Sequence, residues 1–203
     1  MNHLLTNSQA IPLAGNDLVK IAKPERTRWV VYSDLKRYKS IQALLGIYDG
    51  VFILYQQKST NIGHWACMFK DAHDPHTCHY FDSYGFAPAQ DISITHNEDF
   101  LLDLIKKYKK DGYRFIVNKH RYQKMNDSIE DCGRHCAIRI RLRCLDEKEY
   151  QHLMTSSKYN SDFTVSMMTL LVAPEHLSCA ELLKKTGTGG HISKKVYGGG
   201  GFF

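Results

Sequence analysis

The chain has 203 residues, 43% of them hydrophobic and 24% charged, with 5 prolines; this fits one well-filled core and excludes disordered, collagen-like and fibrous classes. No run approaches the ~20 apolar residues of a membrane-spanning helix, and the opening MNHLLTNSQA has neither the charged start nor the long apolar stretch of a secretory signal, so an intracellular protein without membrane contact is expected. The net charge of +6 admits non-specific attraction to DNA, but no base-reading motif accompanies it and a solvated basic face is the plainer reading.

Met1 to about Lys23 has no sustained period and reads as an N-terminal extension. Arg28 to Tyr32 is β-branched and aromatic enough for a short strand, after which Ser33-Asp34 offers a cap for a helix through Leu45, ended by Gly46 and Asp49-Gly50. Val51 to Gln56, His64 to Phe69 and His79 to Asp82 read as three strands of an antiparallel sheet. Asn97 to Lys110 carries Phe100, Leu101, Leu104, Ile105 and Tyr108 at helical spacing, Asp111-Gly112 stops it, and Arg114 to Val117 is one more strand. From Cys132 onward, CGRHCAIRIRLRCL predicts a mostly buried helix, although the alternation in AIRIRLR also permits a strand. Two further helices are predicted around Glu147 to Met154 and Ser161 to Val172. Residues 1–185 are read as a single domain, and residues 186–203 as a flexible glycine-rich tail in which Gly189-Gly190 precedes His191.

Cysteines stand at 67, 78, 132, 136, 144 and 179, and a chain of this length without a secretory signal is expected to keep them reduced. One of them has the surroundings of a nucleophile. Cys132 sits in Glu130-Asp131-Cys132-Gly133 at the predicted start of a helix, where unpaired backbone N–H groups favour a thiolate, and Gly133 leaves room for substrate backbone. Thiol proteolysis also needs a proton-accepting imidazole, a group that orients it, and donors for the tetrahedral oxyanion. His64 lies where a strand begins, Asp82 ends the next strand, and pairing through the turn near Asp74-Pro75 brings both to one sheet edge. Gln123 precedes the nucleophile closely enough to place its amide beside the Cys132 backbone N–H. Cys136, one turn further along the helix, is read as a packing thiol, as is Cys67 on its strand. His73, His76, Cys78 and His79 match no zinc module in their spacing, so no metal site is assigned.

The order His-Trp, strand-ending Asp, Gln, then Asp-Cys-Gly at a helix start resembles the adenain and SUMO-protease (ubiquitin-like-protease) clan of cysteine peptidases. The resemblance covers about Val51 to Leu142 and is densest in GHWACMF, YFDSYGF and YQKMNDSIEDCGRHCAIRI. Within that clan, DSYGF and CGRH look most like the maturation proteases of virophages, Polinton-type elements and related large DNA viruses. The resemblance implies an α+β fold whose central, mostly antiparallel sheet packs against the nucleophile-bearing helix. It also implies cleavage of viral capsid or core precursors at Gly-Gly-X sites, in the host cytoplasm's viral factory or in the virion, with no cofactor. By position, His64 matches the base, Asp82 the orienting acid, Gln123 the oxyanion donor and Cys132 the nucleophile. Trp65 matches the aromatic after the base, which lines a channel for small residues. Two other readings stand beside this one: a cellular-type deconjugase of a ubiquitin-like protein, and a non-catalytic basic protein that binds DNA or capsid.

Overall fold

The computed structural model describes residues 11–56, 63–95, 97–125, 130–156 and 159–172. The helices among them are α1 (Gly15–Ala22), α2 (Ile41–Leu45), α3 (Pro88–Thr95), α4 (Phe100–Lys110), α5 (Cys132–Arg141), α6 (Glu147–Thr155) and α7 (Ser161–Val172). The strands β1 (Thr27–Val31), β2 (Gly50–Gln56), β3 (Gly63–Lys70), β4 (Thr77–Phe81) and β5 (Arg114–Val117) lie side by side in chain order. The fold is α+β, as expected, and its sheet is mixed. At the centre β2–β3 and β3–β4 are antiparallel, whereas the outer pairs β1–β2 and β4–β5 are parallel. Parallel neighbours need a crossover. The chain supplies one through a 3-10 turn (Tyr32–Arg37) and α2, and another through α3 and α4.

Alternation along the strands divides the core into two layers. Phe52, Trp65, Cys67, Phe69 and Phe81 face α1, α5, α6 and α7. Val51, Ile53, Tyr55, Ala66, Met68, Cys78 and Tyr80 face the 3-10 turn, α2, α3 and α4. The predicted sequence CGRHCAIRIR is a helix, α5, and Gly133 to Arg141 are buried along its whole length. The strand-like alternation there misleads because the arginines are inside as well. Arg139 is wholly buried between the rings of Phe69 and Tyr150, each 4.7 Å from its guanidinium, and donates to the carbonyls of Leu142 and Leu145. Arg141 donates to Ile21 O, and Arg134 to Asp131. These three are buried despite their charge, because each supplies a buried carbonyl or carboxylate with a donor.

Other expectations change for local reasons. The helix expected through Leu45 is instead the 3-10 turn followed by the short α2, because Ser40 turns its side chain to the Ala43 N–H and caps a new start. The N-terminal extension contains α1, whose Leu18, Ile21 and Ala22 are buried against α5. Its eight residues carry no side-chain cap and stop just before Pro24, so little in the local pattern marks it. The third strand runs Thr77–Phe81 rather than His79–Asp82. Cys67, Cys78, Cys132 and Cys136 are free, but Cys144 is disulfide-bonded, which corrects the expectation of uniformly reduced thiols. Cys144 sits partly exposed beyond the end of α5, outside the interior that isolates Cys67, Cys78 and Cys136. Cys179 and the tail from residue 186 lie outside the described residues. No described helix is long and apolar enough to cross a membrane.

Candidate active site

β3 and β4 pair from Cys67↔Phe81 to Lys70↔Cys78, so His64 near the start of β3 and Asp82 just after β4 project past the same end of the sheet. α5 begins there too, with Cys132 as its first residue. These three side chains meet. His64 Nε2 is hydrogen-bonded to Asp82 Oδ2. The Cys132 thiol stands close enough to bear on the His64 proton both as a hydrogen-bond partner and as a charge. With Nε2 engaged by Asp82, Nδ1 is the ring nitrogen left for the sulfur. Burial disfavours the imidazolium, yet the Asp82 carboxylate, through charge and hydrogen bond, and then Cys132 hold the His64 pKa well above its ordinary value.

Asp82 is itself held. It is fully buried, and its Oδ1 accepts the backbone N–H groups of Tyr84 at 2.8 Å and Phe86 at 3.1 Å, leaving Oδ2 for the ring. Gly85 makes this turn with φ 76, and a Cβ there would come within 3.0 Å of Lys119 O, so both conformation and space call for glycine. Asn118 clamps the backbone of Asp82 from both sides, accepting from its N–H at 2.8 Å and donating to its carbonyl at 2.7 Å. The Tyr84 ring stands 5.3 Å from the imidazole.

Gln123 is buried, and its Oε1 accepts from Ser83 Oγ at 2.7 Å while its backbone N–H donates to Ser83 O at 2.9 Å. Ser83 thus fixes the orientation of the Gln123 amide. On the other side, the next residue's N–H donates to Asp162 Oδ2 at 3.2 Å, and Asp162 Oδ1 pairs with His135 Nε2 of α5 at 3.0 Å. The Gln123 loop is therefore fastened both to the residue after the acid and to the helix that begins at the thiol.

Trp65 is mostly buried, donates its indole N–H to Leu13 O at 3.2 Å, and meets the edge of Trp29 with centroids 6.3 Å apart. At Gly133 an added Cβ would lie 2.9 Å from Leu18 Cδ2 and 3.3 Å from Trp65 Cδ1. A methyl group there would crowd this chain's own Leu18 and Trp65. Cys136 and Cys67 are fully buried: the Cys136 thiol points at Trp65 O, 3.4 Å away, and burial pushes it well above the ordinary thiol range. His73, His76, Cys78 and His79 do not converge. His73 bonds Cys144 O, His76 stacks near Tyr113, Cys78 faces the other core layer, and His79 bonds Asp71.

Among the described residues one cluster of metal-capable donors occurs, His64, Asp82 and Asp91, with atoms within 4.8 Å of one another. Its closest pair is already an acid–imidazole hydrogen bond, and Asp91 accepts from Tyr80, so the donors are turned on each other and on the sheet rather than on a common centre. Asp91 is the residue that inspection of the sequence passes over. It lies in PAQDISIT, where a lone acid in a short helix gives no local sign of reaching β3.

The chain is similar to a virophage protein. Over 175 residues, spanning 80% of this chain and 96% of the other, it is 27% identical to Uncharacterized protein V9 of Sputnik virophage. No family model matches. Among solved structures, the C-terminal Ulp1 protease domain, crystallised in complex with Smt3, the yeast ortholog of SUMO, aligns at a TM-score of 0.43 and 17% identity, covering 88% of this chain and 81% of that one. The central domain of the uncharacterised Lpg1148 protein of Legionella pneumophila aligns at 0.41 and 14%, covering 81% and 97%. These scores mark a loose likeness of chain path.

Proposed function

We propose that the protein is a cysteine endopeptidase that cleaves viral capsid or core precursors at Gly-Gly-X-like sites through a thioester. The observation that supports it is the His64 ring standing between Asp82 and the Cys132 thiol. Cys132 Sγ attacks the scissile carbonyl carbon as its proton resides on His64 Nδ1, and Asp82 holds the resulting imidazolium through Nε2. The carbonyl oxygen gains the charge and receives the Cys132 backbone N–H and the Gln123 side-chain amide. His64 then gives its proton to the departing amine, leaving a thioester. Water, deprotonated by the same ring, hydrolyses the thioester and restores the thiol.

Glycine preference follows if Trp65 and the sheet edge admit only a Cβ-free backbone beside the thiol. Similarity to a virophage protein supports a viral setting. Exposed Lys106, Lys107, Lys109 and Lys110 on α4, with Lys119, Arg121 and Lys124 near the site, favour DNA as a polyanionic partner that concentrates enzyme on packaged substrates.

The test is incubation of wild type and Cys132→Ala with Gly-Gly-X peptides and with a folded ubiquitin-like fusion, each with and without DNA. Cleavage of the peptides by wild type alone is expected. Cleavage of the fusion alone would replace the substrate class with that of a deconjugase, and cleavage by both variants, or by neither under any condition, would overturn the peptidase reading.

A further inference from the structure

His64 Nε2 faces a second carboxylate that the mechanism above does not use. Asp91 of α3 is 2% exposed, and its Oδ1 lies 3.8 Å from His64 Nε2, the nitrogen already bonded to Asp82. Its other oxygen, Oδ2, accepts the Tyr80 hydroxyl at 2.6 Å, and the Tyr80 oxygen in turn lies 2.9 Å from the Tyr55 hydroxyl. Asp91 is thus anchored to the sheet on one side and faces the imidazole on the other. Tyr80 alone does not call for an acid, since an asparagine oxygen accepts a hydroxyl equally well. A neighbouring imidazolium does, because a buried negative charge is tolerated chiefly beside a positive one.

We propose that Asp91 is a second positioning acid for His64, whose charge, anchored by Tyr80, keeps the proton on the imidazole when it is paired with the Cys132 thiolate. The titratable groups that face Asp91 are His64 on β3, Asp82 after β4, Tyr80 on β4 and Tyr55 on β2, with Tyr32 next to Tyr55. Burial and the charge of Asp82 push Asp91 up to about 7, against the opposing pull of His64 and Tyr80. Asp91 therefore gains its charge as pH rises through neutrality. Below that point Asp82 alone holds the imidazolium, and above it two carboxylates do, which delays the loss of the His64 proton to higher pH. The acid tunes the upper limit of the thiolate–imidazolium pair and touches neither substrate nor sulfur.

This inference rests on reading His64 and Cys132 as a working pair, but its test needs no substrate. The His64 ring is titrated by NMR in the full chain for wild type, Asp91→Asn and Tyr80→Phe, and iodoacetamide capture of Cys132 is followed over the same pH range. In Asp91→Asn the His64 midpoint is expected to fall by about one pH unit or more, and the high-pH limb of the Cys132 profile to change with it, whereas the low-pH limbs of variant and wild type converge. Tyr80→Phe leaves the charge but releases its anchor, and a smaller fall is expected. An unchanged midpoint in folded Asp91→Asn, or in Tyr80→Phe should Asp91→Asn not fold, overturns the proposal. A lowered midpoint in a protein that cleaves no peptide would sink the peptidase reading and leave the role of Asp91 standing.

Discussion

Replacing Gly133 with alanine adds one methyl group at the second residue of α5, next to the thiol. On propensity alone the change is favourable, by up to about 1 kcal/mol in a helix interior. The space decides otherwise. The new Cβ would lie 2.9 Å from Leu18 Cδ2 and 3.3 Å from Trp65 Cδ1, against the roughly 3.5–4.0 Å of ordinary carbon contact. Leu18 is wholly buried on α1 facing α5, and Trp65 is tied to Leu13 O, so the methyl group is accommodated only by shifting buried side chains. Overpacking of this kind costs about 1–3 kcal/mol. Set against the propensity gain, a net loss of about 1–2 kcal/mol is expected, or a fall of roughly 2–8 °C in melting temperature for a chain of this size. The start of α5 takes up the displacement, so alkylation of Cys132 by iodoacetamide should slow on the order of tenfold, within the ~100-fold that a 1 Å misplacement of a reacting group produces. The assays are urea unfolding and the alkylation rate at fixed pH. A variant that is more stable than wild type and equally reactive would refute the packing argument for glycine at this position.

Cys136→Ala removes a buried thiol that packs against β3, so a loss of about 1 kcal/mol in urea unfolding is expected, with Cys132 alkylation and peptide cleavage retained; loss of cleavage in the folded variant would move the nucleophile to Cys136. Asp131 is pushed up to about 6, first by burial, although His135, Ser166 and Arg134 favour its charge. The fold therefore prefers its protonated form, and the stability this brings is full below about pH 4 and lost as pH rises through about 6. A rise of about two units corresponds to about 3 kcal/mol. Relative to Asp131→Asn, wild type should lose about 2 kcal/mol of it between pH 4.5 and 7.5 in urea unfolding, and a flat or opposite difference would contradict it.

What could be read in the sequence was whatever lies at the end of an element. Gly63-His64-Trp65 opens a strand, Asp82 closes one and Cys132 opens a helix, and the structure brings those three side chains together where β3, β4 and α5 share an end. Their supports were hidden because each arrives from a distant part of the chain. Asn118 clamps the Asp82 backbone across 36 residues, and Asp91 reaches His64 from a helix in the opposite core layer. Neither has a local pattern to betray it. Charge was the other blind spot: Arg139 and Arg141 look like surface, yet aromatic rings and orphan carbonyls take them inside. The parallel edges of the sheet depend on helical crossovers, and α3 was not marked by any strong cap or periodicity.

The pairing of sulfur and imidazole is tested most directly by mapping cysteine alkylation at pH 6 by mass spectrometry in wild type and His64→Ala. Wild type should label Cys132 well ahead of Cys67, Cys78 and Cys136, and removal of the imidazole should slow that labelling more than about tenfold. Labelling of Cys132 no faster than the buried thiols, or at the same rate without His64, would contradict the account.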